Sequence, residues 1–429
     1  MKNLVNYFGI LYPLAPIKRN NIKSFLKISS LCLLMLATAC NKDDDAPPPP
    51  ETENNAPEAF NLIGVTNNAV GVDVQPTFSW EASTDPDGDT VNYNLYLGIE
   101  ENPTTLYAQD ISTTNFELTE PLFRLQTYYW KIEAKDTNGA TTSSNTNTFT
   151  TKAVNFNTNA ITANAAFSGR GDHTSVVFDN KIWVIGGYDG TETKNDVWYS
   201  TDGNTWTEAT NNAPFSVRSN HTSVVFDNKM WVIGGNNKDV WSSTDGSTWI
   251  EVTNDAPFSY RISHSSVVFD NKIWVIGGFS NSGKANDVWS SADGITWTEA
   301  TNEAPFSARA GHTSVVFDNK IWVIAGADSG IINDVWYSTD GSTWTEATNN
   351  ATFPVRHGHT SVVSDNKMWV IGGLNSFGHK DAWYSTDGNT WVEATNNAPF
   401  SDKLSHTSVA YDNKIWVIGG NQNNDVWAF

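Results

Sequence analysis

Six histidines stand at closely matched intervals: His173, His221, His264, His312, His359 and His406, separated by 48, 43, 48, 47 and 47 residues. A basic residue precedes each by three positions: Arg170, Arg218, Arg261, Arg309, Arg356 and Lys403. Guanidinium groups gathered in a ring would attract carboxylates and grip them bidentately. The same pair in every repeat is also what a structural hydrogen-bonding device would leave in the sequence. One histidine per repeat, with no close partner, lacks metal-ligand spacing, so neither a metal nor a cofactor is expected. Tyr188, Phe279 and Phe377 are aromatic enough to stack on a sugar or seat a peptide. Asp189, Glu192, Asp328 and His357 offer carboxylates and a base on separate repeats. No local motif sets a nucleophile, a base and an orienting group together. The catalytic residues are therefore unknown, and binding is favoured over catalysis.

These residues sit in a repeat. His173–Gly187 reads HTSVVFDNKIWVIGG and recurs nearly letter for letter from each of the other five histidines. In the first five copies a second block follows, as in DVWYSTDGNTWTEAT from Asp196 to Thr210. A period of 40 to 50 residues implies a propeller or solenoid. The first copy divides into strands over 174–178, 182–185, 197–200 and 206–210. Asp179-Asn180 makes a two-residue hairpin, and Gly186-Gly187 permits close approach after the second strand. Four antiparallel strands per repeat make a propeller blade. The sixth copy stops at Phe429, after its third strand. The segment 157–162 aligns with the fourth strand of the first copy and is expected to complete the last blade, closing six blades. Seventeen of the nineteen tryptophans lie at repeat positions. Trp183 and Trp198, present in all six copies, should pack between blades.

The double glycine, the aromatic before it and the later tryptophan resemble the kelch family, from Phe156 to the C-terminus. One copy departs, at Ile324-Ala325-Gly326. The resemblance implies a six-bladed kelch-type β-propeller in an all-β chain. In kelch proteins that bind acidic peptides, arginines near the position of Arg170 line the ligand face. Some six-bladed kelch proteins isomerise sialic acid, which makes a carbohydrate-active enzyme the alternative to a binding module. Another kelch group builds a copper radical cofactor from Cys and Tyr; the repeats here contain no Cys, which excludes that chemistry. Ser200–Trp206 also resembles the Asp-box of sialidases, one residue shorter, which in that family is a structural turn.

Comparison of the copies sorts the loops. The Asp-Asn-Lys turns and the Ser-Thr-Asp-Gly turns barely vary, and they share one face of the ring. The loops between second and third strands vary and open on the other face, where a specific ligand is expected. Arg170-Gly-Asp172, a cell-adhesion tripeptide, falls in one loop of that variable face, and a string so short is weak evidence.

Before the repeats, residues 58–152 read as period-two strands and turns, an antiparallel sandwich. Val91, Tyr93, Leu95 and Leu97 should share one face, and Tyr128, Trp130, Ile132 and Ala134 another. The order resembles a fibronectin type III or other immunoglobulin-like module, with Leu125 and Tyr128 at its tyrosine corner. Asp85, Asp87 and Asp89 could offer oxygens to calcium, but a Pro-Asp-Gly turn explains them more simply. The module reads as a spacer.

The N-terminal 39 residues carry five basic residues and no acid. A short apolar run ends in Leu36-Ala-Thr-Ala-Cys40, which resembles a bacterial lipobox. That implies a signal peptide over 1–39, lipidation of Cys40 and an outer-membrane lipoprotein. The acids after Cys40 resemble a surface-export signal, and 40–57 forms an acidic, Pro-rich tether. The net charge of −21 disfavours nucleic acid and anionic lipid as partners. The only cysteines are Cys32 and Cys40, so the mature domains hold no disulfide or thiolate zinc site. The expected partners are the membrane, through the lipid, and a glycan or surface protein; a monomer is expected.

Overall fold

Each repeat folds as the alternation of its residues demands. Thr174–Phe178 turns Val176 and Phe178 inward, and the run Ile182–Ile185 is buried on both faces. A strand enclosed on both sides reads as a continuous apolar stretch. The computed structural model describes residues 53–156 and 159–429. The signal peptide, Cys40 and most of the tether lie outside them, as do Asn157 and Thr158.

Blade I consists of Thr174–Phe178, Lys181–Tyr188, Thr193–Ser200 and Thr207–Thr210, in antiparallel order from the channel outward. Blades II to VI begin at Thr222, Ser265, Thr313, Thr360 and Thr407. The first strands line the central channel, and the strand of blade VI packs against that of blade I. Asp179 and Asn180 both have positive φ, 48° and 54°, as a tight hairpin with the sheet's twist requires.

The second and third strands of blade I run further than the sequence suggests. After a bulge between Ile185 and Gly187, the pairing resumes at Gly187–Lys194 and Tyr188–Thr193. Blades III, IV and VI do the same, whereas in blades II and V the second strand stops at Ile233 and Ile371. Four taller hairpins and two lower edges therefore frame the variable face.

The tryptophans of the second strands are packed by the next blade. A Cβ on Gly203, in the Ser-Thr-Asp-Gly turn, would lie 2.0 Å from the Trp416 ring, so only glycine fits. Gly246, Gly294, Gly341 and Gly388 meet Trp183, Trp231, Trp274 and Trp322 in the same way. Blade VI has no such turn to cover Trp369. Phe156 and Phe429, 4.8 Å apart, share a buried cluster with Trp369 instead.

The end segment meets blade VI through Thr162, bridged to Val426, and through the Ile161 N–H on the Val426 carbonyl. Among the described residues the contact is a bridge; Asn157 and Thr158, where the expected strand 157–162 begins, lie outside them.

The small domain is a sandwich. One sheet runs Ala69–Val72, Asn147–Thr151, Thr127–Lys135, Asn92–Gly98, Leu106–Ile111, with Thr141–Ser143 also on Thr127–Lys135; Thr77–Ser79 pairs with Asn115–Glu117. Trp130, Ile132, Leu95, Phe78 and Phe149 fill its core. The sequence pattern does not reveal the strands 69–72, 106–111 and 141–143. The Tyr128 hydroxyl accepts the Phe123 N–H at 3.1 Å, a bond of the tyrosine-corner kind. Asp85, Asp87 and Asp89 form a turn: Asp85 accepts the Asp87 N–H, Asp87 holds Asn55 and Asp89 holds Asn138.

This domain rests on the propeller. Leu125, Val154 and Phe156 join the cluster around Trp369, and the buried Lys367 ammonium donates to the Arg124 carbonyl at 2.7 Å. Phe stands before the Asp-Asn-Lys turn in blades I to IV, but blade V has Ser364, which together with Arg124 lines the cleft between the two domains.

Candidate functional site: the mouth of the propeller channel

The repeat arginines are struts inside each blade. Arg309 donates from Nη1 and Nη2 to the Asp334 carboxylate, both at 2.7 Å, from Nη1 to the Ala325 carbonyl and from Nε to the Ser307 carbonyl. Arg170, Arg218, Arg261 and Arg356 repeat the arrangement with Asp196, Asp239, Asp287 and Asp381. Lys403 does so with Asp425 and the Gly419 carbonyl. All six residues are fully buried. This corrects the expectation that Arg170, Arg218, Arg261, Arg309 and Arg356 form a ligand-binding ring: every guanidinium is already held bidentately by its own carboxylate. With Arg170 buried, the Arg170-Gly-Asp172 string is not displayed either.

Each strut holds the chain three residues before a histidine, and the six histidines close a ring. Nε2 of His221 is hydrogen-bonded to Thr174 Oγ1 of the preceding blade at 3.1 Å. The pairs Thr222–His264, Ser265–His312, Thr313–His359, Thr360–His406 and Thr407–His173 continue it at 2.9–3.1 Å. The last joins the final blade to the first. Burial, reinforced by the neighbouring Arg or Lys charge, depresses the histidines; His173, His264 and His312 fall to about 3. They are neutral at pH 7, and Nδ1 of each of the six has no partner among the described residues.

A second ring lies above the histidines. The residues just before them, Asp172, Asn220, Ser263, Gly311, Gly358 and Ser405, all have φ between 51° and 63°. Each N–H donates to the carbonyl of its counterpart in the preceding blade, at 2.9–3.0 Å, all the way round. The backbone groups of this ring are thus spent on one another, and only side chains remain to recognise a ligand.

Those side chains are not six-fold. Blades I to III contribute Asp172, Asn220 and Ser263, with the Ser263 hydroxyl donating to Asn220 Oδ1 at 2.8 Å. Blades IV and V contribute glycine, and the next blade's residue leans over each. A Cβ on Gly358 would lie 2.5 Å from Leu404, and one on Gly311 3.4 Å from His357. Together with the histidine ring these residues line a mouth of about 360 Å³. Below it, the channel is lined by the Thr and Ser hydroxyls of the first strands.

The three aromatic candidates lie on the variable side of blades I, III and V, outside the residues that line the mouth. Tyr188 is 37 % exposed, Phe279 44 % and Phe377 79 %. Tyr188 pairs by backbone with Gly171, next to Asp172, and its hydroxyl donates to the Gly190 carbonyl at 2.8 Å. The acid–base candidates separate. Asp189 is bound by Lys194 and by the N–H groups of Glu192 and Thr191, which hold it well below the usual carboxylate range. Glu192 pairs with Lys194, and Asp328 accepts the Gly330 N–H. All three organise their own loops. His357 alone of the four lines the mouth. The sequence reading overlooked Asp172, Asn220, Ser263 and Leu404. Their signal was present: the positions one and two before each repeat histidine vary while their surroundings do not.

Residues 173–373 match the model of the KLHDC2/KLHL20/DRC7 Kelch-repeats domain. The solved structure of YjhT matches with a TM-score of 0.52 at 16 % identity, covering 62 % of this chain and 96 % of that one. The propeller is of the kelch type. Sequence search of curated proteins finds no match. At this identity the structural likeness speaks for the fold alone, and a kelch propeller fits a binding or scaffold role.

Proposed function

We propose that the protein is a surface lipoprotein, anchored through Cys40, whose kelch propeller binds a glycan or protein on its variable face. One observation carries this reading. The backbone ring at the mouth is symmetric and self-satisfied, whereas the side chains it presents (Asp172, Asn220, Ser263, His357, Leu404) differ from blade to blade. Loops on a rigid scaffold are where recognition resides. The small domain agrees with it, since it rests on the invariant turns of blades V and VI and leaves the variable face uncovered by it.

Binding of the purified protein to an array of glycans and surface-protein extracts tests the reading. Binding that Phe279→Ala or His357→Ala weakens, with unchanged melting, supports it; binding indifferent to every variable-face substitution counts against it. Mass spectrometry of the mature N-terminus tests the anchor, with lipid-modified Cys40 expected and an unmodified N-terminus contradicting it. A carbohydrate-active enzyme, such as a sialic-acid isomerase, is the second reading, favoured by one fact: a carboxylate, Asp172, and a half-buried imidazole, His357, line the same mouth. Turnover of sialic acid lost in His357→Gln would favour it.

A further inference from the structure

The charges at the mouth say what kind of ligand it accepts. The six cationic repeat residues beneath it are spent on their own aspartates. The six ring histidines are neutral, and burial with the nearby Lys284 charge keeps His357 below its usual value. Lys284 itself donates to the Asp328 carbonyl and is not part of the lining. The only charge among the lining residues at pH 7 is therefore the carboxylate of Asp172. Among the described residues no donor is bound to it by hydrogen bond or ion pair, and it is half-buried.

An unpaired carboxylate in a recess accepts hydrogen bonds and repels acids. Beside it, Asn220 has its carbonyl oxygen occupied by Ser263, which leaves its amide to donate. On the same blade as Asp172, Tyr188 offers an exposed ring whose hydroxyl is tied down at Gly190. A carboxylate and an amide donor side by side are groups that hold a sugar by its hydroxyls; Tyr188, bridged by backbone to Gly171, lies outside the lining of the mouth. This rests on the reading that the variable face binds a ligand, and it reverses the expectation of acidic ligands that the arginines suggested. We propose that the channel mouth is a subsite for a saccharide residue without a carboxylate, neutral or amino, whose donors meet Asp172 and Asn220.

Position 172 suits substitution, because its left-handed backbone is shared by Asn220 one blade on, and asparagine tolerates that conformation. The full-length protein would be titrated calorimetrically with matched pairs of oligosaccharides, neutral or amino on one side and uronic-acid or sialylated on the other. The expected result is binding of a neutral or amino member, with its acidic counterpart weaker by about tenfold or more. Asp172→Ala should weaken the neutral ligand by about tenfold. Asp172→Asn, with the same melting temperature, should narrow the discrimination by admitting the acidic sugar. Tighter binding of the acidic member, or neutral binding unmoved by Asp172→Ala, overturns the proposal. Failure of every saccharide also overturns it. In that case a protein ligand whose binding is weakened by variable-face substitutions would leave the broader reading standing.

Discussion

Acid should loosen this propeller well before its carboxylates begin to titrate. Burial and the neighbouring cations hold the folded-state values of His173, His264 and His312 at about 3, and those of His221, His359 and His406 well below normal. In the unfolded chain each titrates near 6.5. Below that value the unfolded state binds protons that the folded state refuses, so stability falls with pH. The stability is complete above about pH 6.5 and is lost on the way down toward 3. Each histidine removes about 1.4 kcal/mol per pH unit once its unfolded form is protonated. Between pH 6 and 5 the three with values about 3 remove about 3–4 kcal/mol, and His221, His359 and His406 act in the same direction. The three alone amount to a large share of the net stability of a typical domain, about 5–15 kcal/mol. Asp365, raised by burial, acts in the opposite direction but is one group. Urea unfolding followed by tryptophan fluorescence at pH 7, 6 and 5 reads the effect. His264→Gln, which cannot take up a proton, should reduce the slope by about 1.4 kcal/mol per unit. A midpoint that is flat from pH 7 to 5 would refute the buried, neutral ring.

Substitutions at three positions probe the scaffold. Arg309→Ala leaves the Asp334 carboxylate unpaired and should cost about 3–5 kcal/mol, a drop in melting temperature of roughly 6–15 °C. Arg309→Lys, which copies Lys403 of blade VI, should cost clearly less, and equal melting of the two variants would contradict the strut. Ala325→Gly should stabilise by about 1 kcal/mol, because Ala325 holds φ 55° where five other blades have glycine and a side chain is disfavoured in that conformation; an unchanged urea midpoint would argue against it. Phe156→Ala should cost about 3–5 kcal/mol and raise hydrogen exchange in blades V and VI first, since Phe156 shares the cluster with Trp369 and Phe429; protection lost uniformly round the ring would not fit.

The fold was legible because the repeat states it six times. The tight Asp-Asn turn, the paired glycines and the alternating first strand each correspond to a local geometry that few other residues adopt. Three elements of the sandwich, 69–72, 106–111 and 141–143, escape because they are edge strands with largely exposed side chains, and half-buried edges leave little alternation to read. The arginines misled for the reason that makes the fold clear. Their recurrence is visible in sequence, but the Asp196-type partner about 25 residues on is what decides whether a guanidinium faces a ligand or a carboxylate of its own blade. That pairing appears only when the strand register brings both to the end of the second strand.

A ring of six like blades has no preferred direction for a ligand, so recognition must come from what breaks the symmetry. Where all six blades agree, at the strut, the histidine and the backbone ring, every polar group but the histidine Nδ1 already has a partner. Where they disagree, the mouth divides. Asp172, Asn220 and Ser263 make a polar arc over blades I to III, and two glycines over blades IV and V let His357 and Leu404 lean in. On the proposed reading, a ligand lying across this mouth would meet Asp172, Asn220 and Ser263 along one edge and His357, Leu404 and Ser405 along the other. That arrangement would fix the ligand's orientation as well as its chemistry, and exchanging the two halves by Asp172→Gly with Gly358→Asp would be expected to abolish binding rather than rotate it, because Leu404 occupies the space that a side chain at position 358 needs.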